Sequence, residues 1–314
     1  MNYAHLVARC LMSVTDLRKY RKKNSAYNST RCKNGFRRSL EENERSPLTI
    51  RNYLCDLDAF IRWFEFQQKL EFFPDLVAAV DLLEYKRYLS HSLKPQSINR
   101  KLTTIKVFLN WAMSAGMIPS VPKIPKVVKE NRRGIRWLNC TEQHALLTRV
   151  EQGGQERDLV IVRLLLNTGL RVSELCDLHW SDIKITPKKA ILIVQSGKGA
   201  KRREIPLNND AQSALIEIGY YKNRGTVIPI FVGQRGQLTP RGIQSLIEKY
   251  KGDLEDLSPH SLRHTFCKNL IDAGVGLEMV AALAGHESLE TTKRYCEPSP
   301  EDLALAVALI SKEE

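Results

Sequence analysis

The chain has 314 residues, 43% hydrophobic and 26% charged, with a formal net charge of +13. That length permits two domains, each with its own core. Seven scattered cysteines form no paired metal-ligand spacing, and no uncharged apolar run approaches a membrane span, so a zinc domain and a membrane protein are both excluded. Residues 1–17 contain no signal-peptide core, and the expected location is the cytoplasm, in association with the nucleoid. Residues 1–137 hold 26 Lys/Arg against 12 Asp/Glu, whereas residues 138–314 hold 22 against 23. The positive excess therefore lies in the N-terminal part, where a surface that tracks a nucleic-acid backbone needs it.

Residues 1–45 read as a basic N-terminal arm. Nine cations and no acid fall within 18–38, namely Arg18, Lys19, Arg21, Lys22, Lys23, Arg31, Lys33, Arg37 and Arg38. Such a run is solvated in the free protein and available to phosphates. A helical domain is expected over 46–120. Ile50, Tyr53, Leu54, Leu57, Phe60, Ile61 and Phe64 recur at helical spacing, with Thr49 as N-cap. A second helix spans about 76–90. Ser97 caps a third, with Ile98, Leu102, Ile105, Phe108, Leu109 and Ala112 inward. Its other face carries Asn99, Arg100, Lys101, Thr103, Thr104 and Lys106, a polar, cationic surface suited to a major groove.

Residues 121–137 read as a proline-containing basic linker, a strap along nucleic acid. A second domain is expected over 138–298. It opens with a helix near Thr141, and an apolar helix over 158–167 then ends at Gly169, with Arg171 starting the next. Strands over 190–194 and 203–207 flank a turn that carries Lys198. Helices follow at about 210–221, 239–250, 260–273 and 277–284. The closing segment, 299–314, is apolar nearly all round over 300–311 and must be buried.

Four short motifs stand out. They are Thr168-Gly-Leu-Arg171-Val-Ser-Glu174-Leu175, the Lys198 turn within Ser196–Leu207, Ser258-Pro-His260-Ser-Leu-Arg263-His264, and Gly285-His286 followed by Tyr295. Singly, each has a bland reading: a surface ion pair, turn glycines, a solvated helix face, a helix C-cap or a half-buried aromatic. Together they supply what attack on a phosphodiester by a phenol requires. Arginine forks bind phosphate oxygens bidentately, histidines move protons near neutrality, and a tyrosine serves as covalent nucleophile.

In this order and spacing the set resembles the tyrosine recombinase (phage integrase) family, among them Xer-like and transposon-resolvase-like members, and the resemblance covers nearly the whole chain. It implies a mainly α fold with a small β-sheet (α+β), a helical core-binding domain and a catalytic domain forming a C-shaped clamp around DNA. It implies catalytic roles for Arg171, Lys198, His260, Arg263, His286 and Tyr295, with Lys201 the alternative to Lys198. Tyr295 is the expected nucleophile, Arg171 and Arg263 the phosphate holders, and His286 a hydrogen-bond donor. His260 is the expected base, Lys198 the acid for the 5′-oxygen, and Glu174 the carboxylate that orients Arg171.

The implied reaction is site-specific recombination of a double-stranded DNA site, through a 3′-phosphotyrosyl intermediate and a Holliday junction, by a dimer on the site and a tetramer in the synapse. The closing helix is then an oligomerisation element. Lys201, Arg202 and Arg241 join Asn99, Arg100, Lys101 and Lys106 as candidate DNA contacts. No cofactor or metal is implied. A type IB topoisomerase-like relaxing enzyme and a non-catalytic DNA-binding protein are the alternatives.

Overall fold

The computed structural model describes residues 29–129, 135–195, 202–286 and 288–296. The chain forms two compact units, divided between Arg132 and Arg133. Both are mainly helical, and a small antiparallel sheet lies in the second.

The first unit contains α1 (Ser29–Glu42), α2 (Pro47–Gln68), α3 (Ala79–Ser90) and α4 (Pro95–Ser114). Helix α1 corrects the expectation of a solvated arm up to residue 45. Cys32, Phe36 and Leu40 recur every fourth residue and are buried, so they lie on one helical stripe. Phe36 meets Phe108 edge-to-face at 5.4 Å. Arg37 and Arg38 remain on the exposed face, whereas Lys33 pairs with Asp58 at 2.8 Å. The rest of the arm, residues 1–28, lies outside the described residues.

Helix α2 is capped by Ser46 rather than Thr49: the Thr49 amide donates to Ser46 Oγ at 3.2 Å, and Pro47 takes the first helical position. Proline suits that place because its missing N–H is not needed there. The stripe expected from periodicity is buried as read for Leu54, Leu57, Phe60, Ile61 and Phe64. Helix α3 begins three residues later than expected, because Pro74–Leu76 forms a separate 3₁₀ turn and Asp81 then accepts from the Ala78 amide at 2.8 Å. Helix α4 starts at Pro95, two residues before Ser97, and buries Ile98, Leu102, Ile105, Phe108, Leu109 and Ala112. The first part of the expected linker is fastened to this unit. Val121, Ile124 and Val128 pack against its core, and Asn99 holds both the amide and the carbonyl of Val128.

In the second unit, α5 (Cys140–Gln152), α6 (Glu156–Thr168) and the short α7 (Val172–Cys176) lead into β1 (Ile183–Ile185), β2 (Ala190–Val194) and β3 (Arg203–Pro206). These strands pair antiparallel in the order β1-β2-β3. Strand β2 matches the expected 190–194 and β3 ends one residue short of the expected 203–207, while the three-residue β1 is too short to signal itself. Then come α8 (Asn209–Glu217), α9 (Tyr220–Asn223), the two-residue strands β4 (Val232–Gly233) and β5 (Gly236–Gln237), α10 (Pro240–Tyr250), α11 (Pro259–Asp272), α12 (Leu277–Ala284) and α13 (Leu289–Lys293). The single helix expected over 210–221 is broken at Gly219, whose φ of 104° suits glycine. Helix α6 is the centre of the core, with Val160, Ile161, Val162, Leu164 and Leu165 all buried. No helix among the described residues is long and apolar enough to cross a membrane. The closing segment expected to form an oligomerisation helix, 299–314, lies outside the described residues.

Candidate active site

Helix α6 ends at Gly169, where φ is 61° and a Cβ would collide with the Phe266 ring at 2.3 Å. Leu170 is buried, which brings Arg171 out of the core as N-cap of α7. Glu174, three residues on, closes a capping box: one oxygen accepts from the Arg171 amide at 2.8 Å, the other from Arg171 Nη1 at 2.8 Å. The same carboxylate receives the Arg203 guanidinium of β3 in a two-pronged bond, at 2.9 and 2.7 Å. Burial opposes ionisation of Glu174, yet the bonds from Arg203 and Arg171 prevail and bring its pKa down to about 2.

Helix α11 starts at Pro259 with Ser258 as N-cap. His260, in its first turn, is exposed, while Arg263, one turn on, is only 4% exposed. Arg263 donates to the Gly169 carbonyl and to the Ala284 carbonyl, each at 2.6 Å. Burial, then the neighbouring Arg171, lowers its pKa to about 10, so it stays charged at neutral pH.

At the C-terminus of α12 three consecutive carbonyls each accept from a different arginine. Leu283 O takes Arg203 Nε at 3.1 Å, Ala284 O takes Arg263 Nη2 at 2.6 Å, and Gly285 O takes Arg171 Nη2 at 2.5 Å. A helix C-terminus is the negative end of its dipole and leaves carbonyls without intrahelical partners, so it collects cations. Gly285 adopts a φ of 67° and delivers His286 directly beyond this cluster. His286 Nδ1 lies 2.8 Å from Thr292 Oγ1. Burial, followed by the positive field of Arg263, Arg171 and Arg203, pushes the His286 pKa down to about 4.

Tyr295 follows α13 and is 1% exposed. Its hydroxyl lies 2.6 Å from His264 Nδ1, and its ring is nearly parallel to that of His286, with centroids 6.2 Å apart. Burial, then the adjacent Cys267, pushes the phenol pKa well above its ordinary value. His264 is itself lowered to about 4 by burial and by His260 and Arg263. It is therefore neutral at physiological pH.

Arg171 with Glu174, Arg263, His286 and Tyr295 thus converge from four stretches of chain. His260 stands at the edge, its ring 6.5 Å from that of His264. The partner at the Tyr295 hydroxyl is His264, not the expected His260. His264 and Arg203 both lie inside motifs noted in the sequence, but nothing local marks them as partners of Tyr295 and Glu174. Lys198 and Lys201 lie outside the described residues.

Among the expected DNA contacts, Asn99, Arg100 and Lys101 are engaged within their own unit. Arg100 and Lys101 both pair with the buried Asp56, Lys101 at 2.9 Å, and Thr104 adds a hydroxyl at 3.3 Å. A carboxylate inside a helical core requires such partners. Lys106 and Arg241 are exposed, and Arg202 is exposed with Glu204 at 3.2 Å.

The sequence profile of the phage integrase family matches residues 136–302, and that of the phage integrase N-terminal SAM-like domain matches residues 34–116. The chain belongs to the phage integrase family. Its similarity to the tyrosine recombinase XerC of Myxococcus xanthus is 34% identity over 286 residues, covering 85% of this chain and 93% of the relative. With the XerC of Thermodesulfovibrio yellowstonii it is 31% over 266 residues, covering 80% and 85%. The fold is shared with the Tn1549 transposon integrase in complex with circular intermediate DNA (TM-score 0.68, 21% identity, 88% of this chain and 98% of that one). It is shared also with a lambda integrase dimer bound to a core site (TM-score 0.67, 17% identity, 87% and 79%). The SAM-like match begins at residue 34, inside α1, which agrees with the packing of Phe36 and Leu40.

Proposed function

We propose that this phage integrase family member is a site-specific DNA recombinase that cuts and rejoins strands through a phosphotyrosine. The observation that carries the reading is the convergence of Arg171, Arg263, His286 and Tyr295, as much as 124 positions apart in the sequence, in a chain 34% identical to a tyrosine recombinase.

The Tyr295 oxygen bonds to the scissile phosphorus and the bond from phosphorus to the 5′-oxygen breaks, leaving a 3′-phosphotyrosine and a free 5′-hydroxyl. The guanidinium groups of Arg171 and Arg263 hold the non-bridging oxygens and stabilise charge as it builds in the transition state. His286 donates to the same phosphate. The phenolic proton passes to a neutral histidine, with His264 Nδ1 already at the oxygen and His260 one turn away on α11. Lys198, which precedes β3 in the sequence, returns a proton to the 5′-oxygen. Attack by a 5′-hydroxyl from a second duplex reverses each step, and one phosphodiester replaces another without an external energy source. The arginine pair supplies the positive charge that a metal would otherwise bring, so neither metal nor cofactor is required.

In the described conformation Tyr295 is closed off from solvent, and its attack requires the segment around α13 to shift. The duplex partner, a dimer on the site, a tetramer in the synapse and a cytoplasmic location at the nucleoid belong to the same proposal. The relatives favour recombination over a relaxing topoisomerase.

The test is covalent capture on a nicked duplex carrying the target site, recovered from fragments of the host's own DNA. An adduct that forms in EDTA, maps to Tyr295 and supports strand exchange between two duplexes is expected. Relaxation of supercoils without exchange would favour the topoisomerase, and an adduct at another residue would overturn the assignment.

A further inference from the structure

We propose that Arg203 is a positioning residue that keeps Arg171 positively charged in effect: it neutralises the Glu174 carboxylate, so that the Arg171 guanidinium, though bonded to Glu174 and to the Gly285 carbonyl, still presents net positive charge to phosphate. The inference rests on the reading of Arg171 as a phosphate holder.

Glu174 is 16% exposed and Arg203 13% exposed, and they meet through both Nη atoms and both carboxylate oxygens, at 2.9 and 2.7 Å. Arg171 reaches the same carboxylate through only one guanidinium nitrogen, at 2.8 Å, and is 40% exposed on its side chain. Two-pronged, sheltered pairs are the stronger ones. Glu174 is thus chiefly the counterion of Arg203. The three groups together carry one net positive charge, located on the member that faces outward. Without Arg203, Glu174 would turn fully to Arg171, and the pair would be neutral toward an incoming phosphate.

Arg203 also fixes geometry. Its Nε holds the Leu283 carbonyl at 3.1 Å, and its guanidinium lies 2.9 Å from where a Cβ on Gly285 would be. It thereby ties β3, the strand that follows Lys198 in the sequence, to the corner that presents His286. One side chain joins three segments that the sequence separates.

The test compares single-turnover cleavage of the nicked target duplex by wild type, Arg203→Gln, Arg203→Lys and the double variant Arg203→Gln with Glu174→Gln. Arg203→Gln is expected to slow cleavage about 100-fold, the range for losing one preorganised stabiliser, with duplex affinity within about threefold. Restoring the net charge in the double variant should recover roughly tenfold of that loss, which a merely structural role would not do. Arg203→Lys keeps the charge and should lie within about tenfold of wild type. Arg203→Gln at the wild-type rate, or a double variant no faster than the single, overturns the proposal. If Arg203→Gln loses its cooperative thermal transition, Arg203→Lys decides: a rate near wild type supports the charge role, and a 100-fold loss overturns it.

Side-chain NMR of Glu174 without DNA gives a second arm. Its carboxyl should titrate at higher pH in Arg203→Gln or Arg203→Lys than in wild type, and an unchanged titration overturns the pairing. Absence of a Tyr295 adduct in wild type would instead sink the recombinase reading and leave the Glu174 titration to judge Arg203 separately.

Discussion

The Tyr295 hydroxyl lies 2.6 Å from His264 Nδ1, inside a pocket that also includes Cys267 and the face of His286. The proposed nucleophile is thereby held as a protonated, buried phenol beside a neutral histidine. Removing the histidine tests which aspect matters. In His264→Ala the phenol loses its imidazole partner and keeps only the weaker contact with the Cys267 thiol, and stability should fall by about 1 kcal/mol. Cleavage at pH 7 should fall about 10²–10⁴-fold if His264 takes the proton. A faster reaction would show that the contact restrains Tyr295 instead, and thermal melts with single-turnover rates read both.

Tyr295→Phe should abolish the covalent adduct while duplex affinity stays within about threefold, since one hydroxyl and no charge is removed. The ring should still fill its site against His286. Gel capture and a binding isotherm on the same duplex check the two halves, and persistence of the adduct would redirect attention to another nucleophile.

Acid should destabilise the second unit before its carboxylates titrate. His264 and His286 are each held near a pKa of about 4 in the fold, against an unfolded value of about 6.5. The unfolded chain therefore binds more protons below pH 6.5, and stability falls from there toward pH 4. Melting temperature measured across that window should drop, and the drop should be smaller in His264→Gln. Equal slopes in the two proteins would mean that His264 is not buried in its neutral form.

Arg263→Ala should cost more stability than Arg171→Ala, although both should abolish cleavage. Arg263 is 4% exposed, and its loss leaves the Gly169 and Ala284 carbonyls without their donor. Each orphaned buried carbonyl costs about 1–3 kcal/mol. Denaturant titration of both variants gives the comparison.

Deleting residues 1–28 should preserve the first unit, because α1 begins at Ser29. It removes Arg18, Lys19, Arg21, Lys22 and Lys23 of the run. At about 0.9 per phosphate contact, the slope of log K against log salt should flatten by up to about 4.5. Deletion through residue 42 should also unfold the unit, since Cys32, Phe36 and Leu40 leave its core. An unchanged slope after the shorter cut would show that these five cations stay solvated in the complex.

By itself the sequence determined that Arg171, Arg263, His286 and Tyr295 belong together, and most of the helices that bring them together. The four stand in short, ordered motifs, the apolar stripes of α2 and α4 repeat at the helical period, and α6 is strongly apolar, so all are local signals. Helix α1 shows where a local signal was masked: Cys32, Phe36 and Leu40 keep helical spacing, but the dense cations between them read as a solvated run. Tertiary structure alone decided how the charges are partnered. Glu174 meets Arg203 across 29 positions, Arg171 meets Gly285 across 114, and His264 rather than His260 reaches Tyr295 across 31. Asn99, Arg100 and Lys101 sit on the polar face of α4 as expected, yet Val128 and Asp56 claim them from 29, 44 and 45 positions away. Periodicity tells which way a side chain leaves its helix. Whether it meets water, a phosphate or a buried carboxylate depends on which distant segment packs there, and that energy is not written in the neighbouring residues.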